Sequence, residues 1–166
     1  MAKLLCIARW PETHPNPADY PVDLSLIFDP ETAPGPDLAA PDWTHCTVEI
    51  GLQKSARSKR RSFSTRSGPM LVRDVRRLTV DLKEMVQQKS SGSLTFIPVV
   101  PFFELWVHGL TGDQYRVINW MDLADHFNGA DDLAYEGVRF LTNRSRLMGF
   151  IRSLEADLKT LDKSPS

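Results

Sequence analysis

Between Trp43 and Leu52 the apolar residues Cys46, Val48, Ile50 and Leu52 alternate with Thr47, Glu49 and Gly51. A period of two puts alternate side chains on opposite faces and predicts a half-buried strand. Ser55 to Arg60 is polar and basic, which suits a hairpin connection. Arg61 to Arg66 is the expected return strand, ended by Gly68-Pro69. The period then changes. Leu71, Val75, Leu78, Leu82, Met85 and Val86 recur every three or four positions, apart from the last pair. That spacing is one face of an amphipathic helix over Leu71 to Lys89, stopped by Ser90-Ser91-Gly92-Ser93.

Beyond the helix the strand pattern returns. Ser93 to Val100 and Phe102 to His108 are apolar and β-favouring, with Pro98 and Pro101 demanding a bulge, bend or edge. Gly109 to Asp113 reads as a turn and Tyr115 to Trp120 as the partner strand of a hairpin. Leu123 to Asp132 reads as a loop and Leu133 to Leu141 as a strand. Asn143 can cap a final helix with an apolar face of Leu147, Phe150, Ile151, Leu154, Leu158 and Leu161. Upstream of Trp43, Lys3 to Trp10 reads as a short strand and Val22 to Phe28 as an edge strand. Eight of the twelve prolines fall between Pro11 and Pro41, which breaks up any longer element there. Strands joined by hairpins, with helices set apart from them, argue for an α+β fold. Its sheet should be mostly antiparallel, with the two amphipathic helices packed together on or beside it.

With 166 residues the chain fits a single domain, 1–166, carrying a Pro-rich segment at 11–41. Hydrophobic residues make up 42% and charged residues 25%, which excludes a collagenous or wholly disordered chain. No apolar stretch approaches the roughly 18 residues of a membrane-spanning helix. Met1 to Trp10 is too short for a signal peptide. Cys6 and Cys46 do not make a disulfide framework. A reduced, cytoplasmic protein with no membrane partner is expected. Net charge is −1, yet it is segregated. Met1 to Ile50 has two basic and eight acidic residues, whereas Gly51 to Lys89 has eleven basic and three acidic. Such alternation suits opposed faces of one domain, or loops and helices solvating themselves.

Two charged clusters qualify as binding surfaces. Lys54, Arg57, Lys59, Arg60, Arg61 and Arg66, with Phe63 among them, have the composition of a phosphate-contacting patch. They equally suit a solvated hairpin tip, and no recognition motif accompanies them. Asp122, Asp125, Asp131, Asp132 and Glu136, with His126, form an acidic cluster. Their spacing matches no calcium loop, so no metal or other cofactor is expected. As a patch for a basic protein partner they fit better, because complementary charge steers encounter. No catalytic constellation is legible. Cys46 lacks a paired base, and there is no nucleophile elbow, Gly-rich phosphate loop or Cys-x-x-Cys. The histidines His45 and His108 fall on strands, where local packing or bonding is expected. Trp106 and Trp120, on neighbouring strands of one hairpin, are expected to pack.

From Trp43 onward the order of elements resembles the WapI-like immunity proteins, small bacterial proteins that neutralise a cognate toxin. The resemblance rests on the Trp-led strand Trp43 to Leu52, its return strand and the Leu- and Arg-rich helix Leu71 to Lys89. It continues through Gly92-Ser93-Leu94-Thr95-Phe96-Ile97-Pro98, the aromatic strand Phe102-Phe103-Glu104-Leu105, the hairpin return and the closing helix. It covers about the last three quarters of the chain and leaves out the Pro-rich start. It implies stoichiometric binding of a toxin protein, with no catalytic residues to carry over. The alternative is a nucleic-acid-associated module using the basic hairpin at 54–66.

Overall fold

A computed structural model of the chain describes residues 1–9, 19–29, 43–52, 61–64, 67–88, 92–122 and 135–162. In order these form β1 (Ala2–Arg9), β2 (Asp19–Asp29), β3 (Trp43–Leu52), β4 (Arg61–Ser64), β5 (Gly68–Leu71), α1 (Val72–Gln87), β6 (Ser93–Phe96), β7 (Phe103–Gly109), β8 (Gln114–Asp122), β9 (Tyr135–Asn143) and α2 (Arg144–Leu161). The fold is α+β, and every strand pairing is antiparallel.

The strands run in the spatial order β4-β3-β2-β1-β9-β8-β7-β6, with β5 also paired to β3. This is two four-stranded meanders set side by side. Within each meander the ladders are long, with eight register pairs between β1 and β2 and nine between β8 and β9. The seam is thin. Among the described residues, β1 and β9 share one register pair, Ile7↔Leu141. Thr142 Oγ1 adds a 2.8 Å hydrogen bond to the Leu5 carbonyl across it.

The alternation sorts side chains by face. Ala2, Leu4 and Cys6 on β1, Val22, Leu24 and Leu26 on β2, and Cys46, Val48 and Ile50 on β3 are buried in one core. Phe103, Leu105, Val107, Val117, Met121 and Phe140 continue it across the second meander. The helices supply the rest. Leu78, Leu82, Phe150, Ile151, Leu154 and Leu158 are all buried, as the helical periodicity predicts. Asn143 caps α2 by accepting from the Arg146 backbone N–H at 3.0 Å. The two helices pack on each other, and α2 packs chiefly on β1, a strand of the other meander. Outside the core they are tied by Lys83–Glu155 at 2.9 Å and Arg76–Asp162 at 2.8 Å. One polar residue breaks the pattern. Asn119 lies fully buried on the core side of β8, between Leu105 and Val138 on the flanking strands. Among the described residues neither the oxygen nor the nitrogen of its amide has a hydrogen-bond partner.

α1 touches both β5 and β6, strands that lie toward opposite ends of the strand order. Gly68 on β5 lies against the Phe102 ring, so close that a methyl there would sit 2.7 Å from ring carbons. Glycine suits that position because of the close approach of the aromatic ring.

Several expectations need correction. Val22 to Phe28 is not an edge strand. β2 is flanked by β1 and β3, and Pro21 is accommodated as an exposed residue within it. Gly68-Pro69, expected only to end the return strand, also opens an unexpected strand, β5, which pairs with the first half of β3. Pro98 limits β6 to Ser93–Phe96, short of the expected Val100. The stretches at 11–18, 53–60 and 123–134 lie outside the described residues, as does most of the Pro-rich segment.

Candidate functional site

The face of the second meander that points away from the helices carries its own side-chain grid. β7 contributes Glu104, Trp106 and His108, β8 contributes Arg116, Ile118 and Trp120, and β9 contributes Gly137 and Arg139. Register sets them in rows: His108 beside Arg116, Trp106 beside Ile118 and Arg139, and Glu104 beside Trp120 and Gly137. Arg116 and Arg139 are exposed, and the two indoles are half-buried.

Both tryptophans are held in place. Trp106 donates from Nε1 to Glu104 Oε2 at 3.0 Å. Its ring meets Trp120 edge-to-face at 6.2 Å between centroids and 63° between planes. His108 stands edge-on to Trp106 at 6.5 Å. Trp120 lies over Gly137, and a methyl at that glycine would be within 2.8 Å of the ring. The missing Cβ therefore allows the indole to lie down on the sheet. Trp120 Nε1 is shielded from water and has no acceptor among the described residues. A bare indole donor of this kind costs about 1–3 kcal/mol, offset elsewhere in the fold. Packing alone does not call for this arrangement, because the core side of the same strands is already filled.

Trp106 and Trp120 pack on each other across the hairpin, as expected, and they do so on the outer face of the sheet. A signal for this was present. Trp106 shares its strand parity with Glu104 and His108, and Trp120 shares its parity with Arg116, so both tryptophans ride on the charged side of their strands. The core side was claimed by Phe103, Leu105, Val107, Val117 and Met121.

Of the acidic cluster, Asp122 closes β8 and Glu136 lies near the start of β9. Register pairs Asp122 with Tyr135 and Met121 with Glu136, so their backbones share the end of the ladder that follows Trp120. Asp125, Asp131 and Asp132 lie outside the described residues, as does His126. Of the basic cluster, Arg61 opens β4 opposite Leu52. Lys54, Arg57, Lys59, Arg60 and Arg66 lie outside the described residues.

The nucleophile candidates point elsewhere. Cys6 and Cys46 are free, buried thiols. Burial pushes each thiol up to about 12, with Thr142 and Arg146 pulling the other way at Cys6 and the Ile27 backbone at Cys46. A thiol held protonated to that extent is a poor nucleophile. His45 sits on the opposite face of β3 from Cys46 and bonds through Nδ1 to Ser67 Oγ at 3.5 Å. Among the described residues no group of three or more His, Cys, Asp or Glu side chains is placed to hold a metal ion. No helix among them is long and apolar enough to cross a membrane.

The chain matches no family model, no curated protein and no solved structure. What the site offers is a rigid aromatic surface edged by arginines, suited to recognition.

Proposed function

We propose that this chain is a non-catalytic immunity protein, acting in the bacterial cytoplasm, that binds and neutralises a cognate toxin through the outer face of β7, β8 and β9. The observation that carries the reading is the Trp106, Trp120, Arg116 and Arg139 cluster on a sheet face that neither helix covers. Tryptophan and arginine are the residue types that dominate binding energy at protein interfaces. Side chains fixed beforehand, as Trp120 is by Gly137 and Trp106 by Glu104, lose little freedom on association. The order of elements from Trp43 onward supports the same reading through its resemblance to WapI-like immunity proteins. Two unpaired thiols suit a reducing compartment.

The test is co-expression with the product of the adjoining gene. The proposal expects that product to arrest growth when expressed alone, and the chain to restore growth and co-purify in a one-to-one complex. Trp120→Ala with Arg139→Ala should weaken the complex by about 2–4 kcal/mol. A neighbouring product that is harmless and does not bind would refute the reading. A salt-dependent gel shift with nucleic acid, in place of protein binding, would replace it with the nucleic-acid module.

A further inference from the structure

Strand β6 stands at one end of the strand order, so among the described residues only one of its sides is paired. An open strand edge is a template for a further strand, and folded proteins guard it with charge, proline or cover. The opposite margin, β4, opens with Arg61. The β6 margin has no such charge. No residue from Ser90 to Phe103 is charged, and Thr95, Phe96, Ile97, Val99, Val100 and Phe102 all favour β-structure. Ile97, Val99 and Val100 are also exposed. An uncharged, β-favouring, accessible run of this kind is prone to pair with copies of itself. Pro98 and Pro101 interrupt it, yet the Ile97 carbonyl and the Val99 N–H on either side of Pro98 remain.

Two side chains of α1 take up those two groups. Asp74, only 2% exposed, accepts the Val99 backbone N–H at 3.0 Å. Arg77, one turn along, donates to the Ile97 carbonyl at 2.8 Å and pairs with Asp74 at 3.3 Å. The same guanidinium lies 5.2 Å over the Phe96 ring, which holds it against the strand. A buried carboxylate needs a paired cation and a hydrogen-bond donor. Asp74 finds both here, and the acid and the base are satisfied inside the chain. Their placing has a backbone counterpart. A residue on a neighbouring parallel strand donates its N–H to one carbonyl and accepts at its own carbonyl from the N–H two residues further on. The guanidinium donates and the carboxylate accepts at that same pair of groups, so the ion pair takes the place of one residue of an additional strand.

We infer that Asp74 and Arg77 form a strand surrogate, which blocks the β6 margin against β-pairing with a second copy of the chain. The element kept out is the same segment of that copy. Two such segments carry no charges to repel each other, and their apolar side chains repeat in register. With the Ile97 and Val99 groups engaged by α1, the margin cannot be extended past Phe96, where β6 ends. The exposed aliphatic side chains then lie beside a backbone that is already occupied. The inference does not depend on the toxin reading.

The experiment follows self-association of the purified full chain, well below the melting temperature of each variant. Sedimentation velocity over rising concentration and thioflavin fluorescence are the readouts. The wild type should keep one sedimentation coefficient. Asp74→Ala frees the Val99 N–H and should leave that species about tenfold faster or more. Adding Val99→Lys to Asp74→Ala puts a charge on the freed edge. It should return association to the wild-type rate while the melting temperature stays low. Leu154→Ala, destabilised through the core instead, should not associate. Hydrogen exchange on the associated Asp74→Ala chain should show new protection at the Leu94 to Val99 amides.

Asp74→Ala behaving as the wild type would overturn the surrogate. So would association that Val99→Lys leaves unchanged, that Leu154→Ala matches, or that protects amides elsewhere, because each would trace it to lost stability or to another surface. If Asp74→Ala does not fold, Arg77→Ala, a change at an exposed side chain, frees the Ile97 carbonyl and replaces it in the test. Association of that variant, suppressed by Val99→Lys, would support the surrogate, and its absence would overturn it.

Discussion

Replacing Asn119 by leucine should stabilise the protein, against the usual result of altering a fully buried residue. The side chain is 0% exposed, faces the core from the middle of β8, and has apolar neighbours at both register positions. Among the described residues its amide oxygen and nitrogen are both without a partner. An unsatisfied buried polar group costs about 1–3 kcal/mol. Leucine removes both groups and is close to asparagine in size. Refitting its branched end against Leu105 and Val138 costs back up to about 1 kcal/mol. The net gain is about 1–3 kcal/mol. For a chain of this length each kcal/mol moves the melting temperature by about 2–4 °C, so Asn119→Leu should raise it by about 2–12 °C. Calorimetry at neutral pH reads the shift. Urea unfolding should show a higher midpoint at unchanged slope, which locates the effect in stability rather than compactness. Asn119→Asp is the companion, since a carboxylate in the same place should destabilise strongly. A lower melting temperature for Asn119→Leu would refute the reasoning, because it would mean that the amide makes hydrogen bonds worth keeping.

Two further outcomes follow from burial. Leu154, fully buried on α2, should cost about 2–5 kcal/mol on truncation to alanine, while half-buried Leu161 should cost much less; thermal melts of the two variants compare them directly. The thiols of Cys6 and Cys46, pushed up to about 12 by burial, should make the fold alkali-sensitive. Above the ordinary thiol range the unfolded chain loses these protons while the native chain keeps them. Stability is therefore intact below about pH 9 and falls between about pH 9 and 12, by roughly 1.4 kcal/mol per pH unit for each thiol. A pH series of urea midpoints on wild type and on Cys6→Ala with Cys46→Ala checks this: the variant should lose most of that slope, and equal slopes would exclude the thiols as its source.

The helices and most strands were legible because their burial is one-sided, so apolar spacing alone carries the assignment. The Leu78–Leu82 and Leu147–Leu158 stripes are the clearest cases. β5 was not legible. It has four residues and begins Gly-Pro, which reads as a stop, and only tertiary pairing with Trp43 to Cys46 makes it a strand. The interior position of β2 was equally hidden, because an exposed proline within it argues for an edge. The face taken by the tryptophans was hard to read for a different reason. On β7 and β8 both faces carry apolar bulk, so hydrophobicity no longer tells inside from outside. The charged companions Glu104, His108 and Arg116 carried that information instead. The brace beneath Val99 could not be read at all, since Asp74 and Val99 come together only through the packing of α1 on the segment after β6.

The packing of α2 on β1 sets a schedule for the ribosome. β1 emerges some 135 residues before the start of α2, the helix that packs on it. At about 5–20 residues per second, β1 and its neighbours wait roughly ten to thirty seconds for that cover. During that interval the first meander can pair its strands, but it presents an uncovered apolar face to the cell. Its folding is therefore completed only after α2 has left the exit tunnel. Nascent chains stalled before Arg144 should recruit chaperones, and chains released with α2 in place should not.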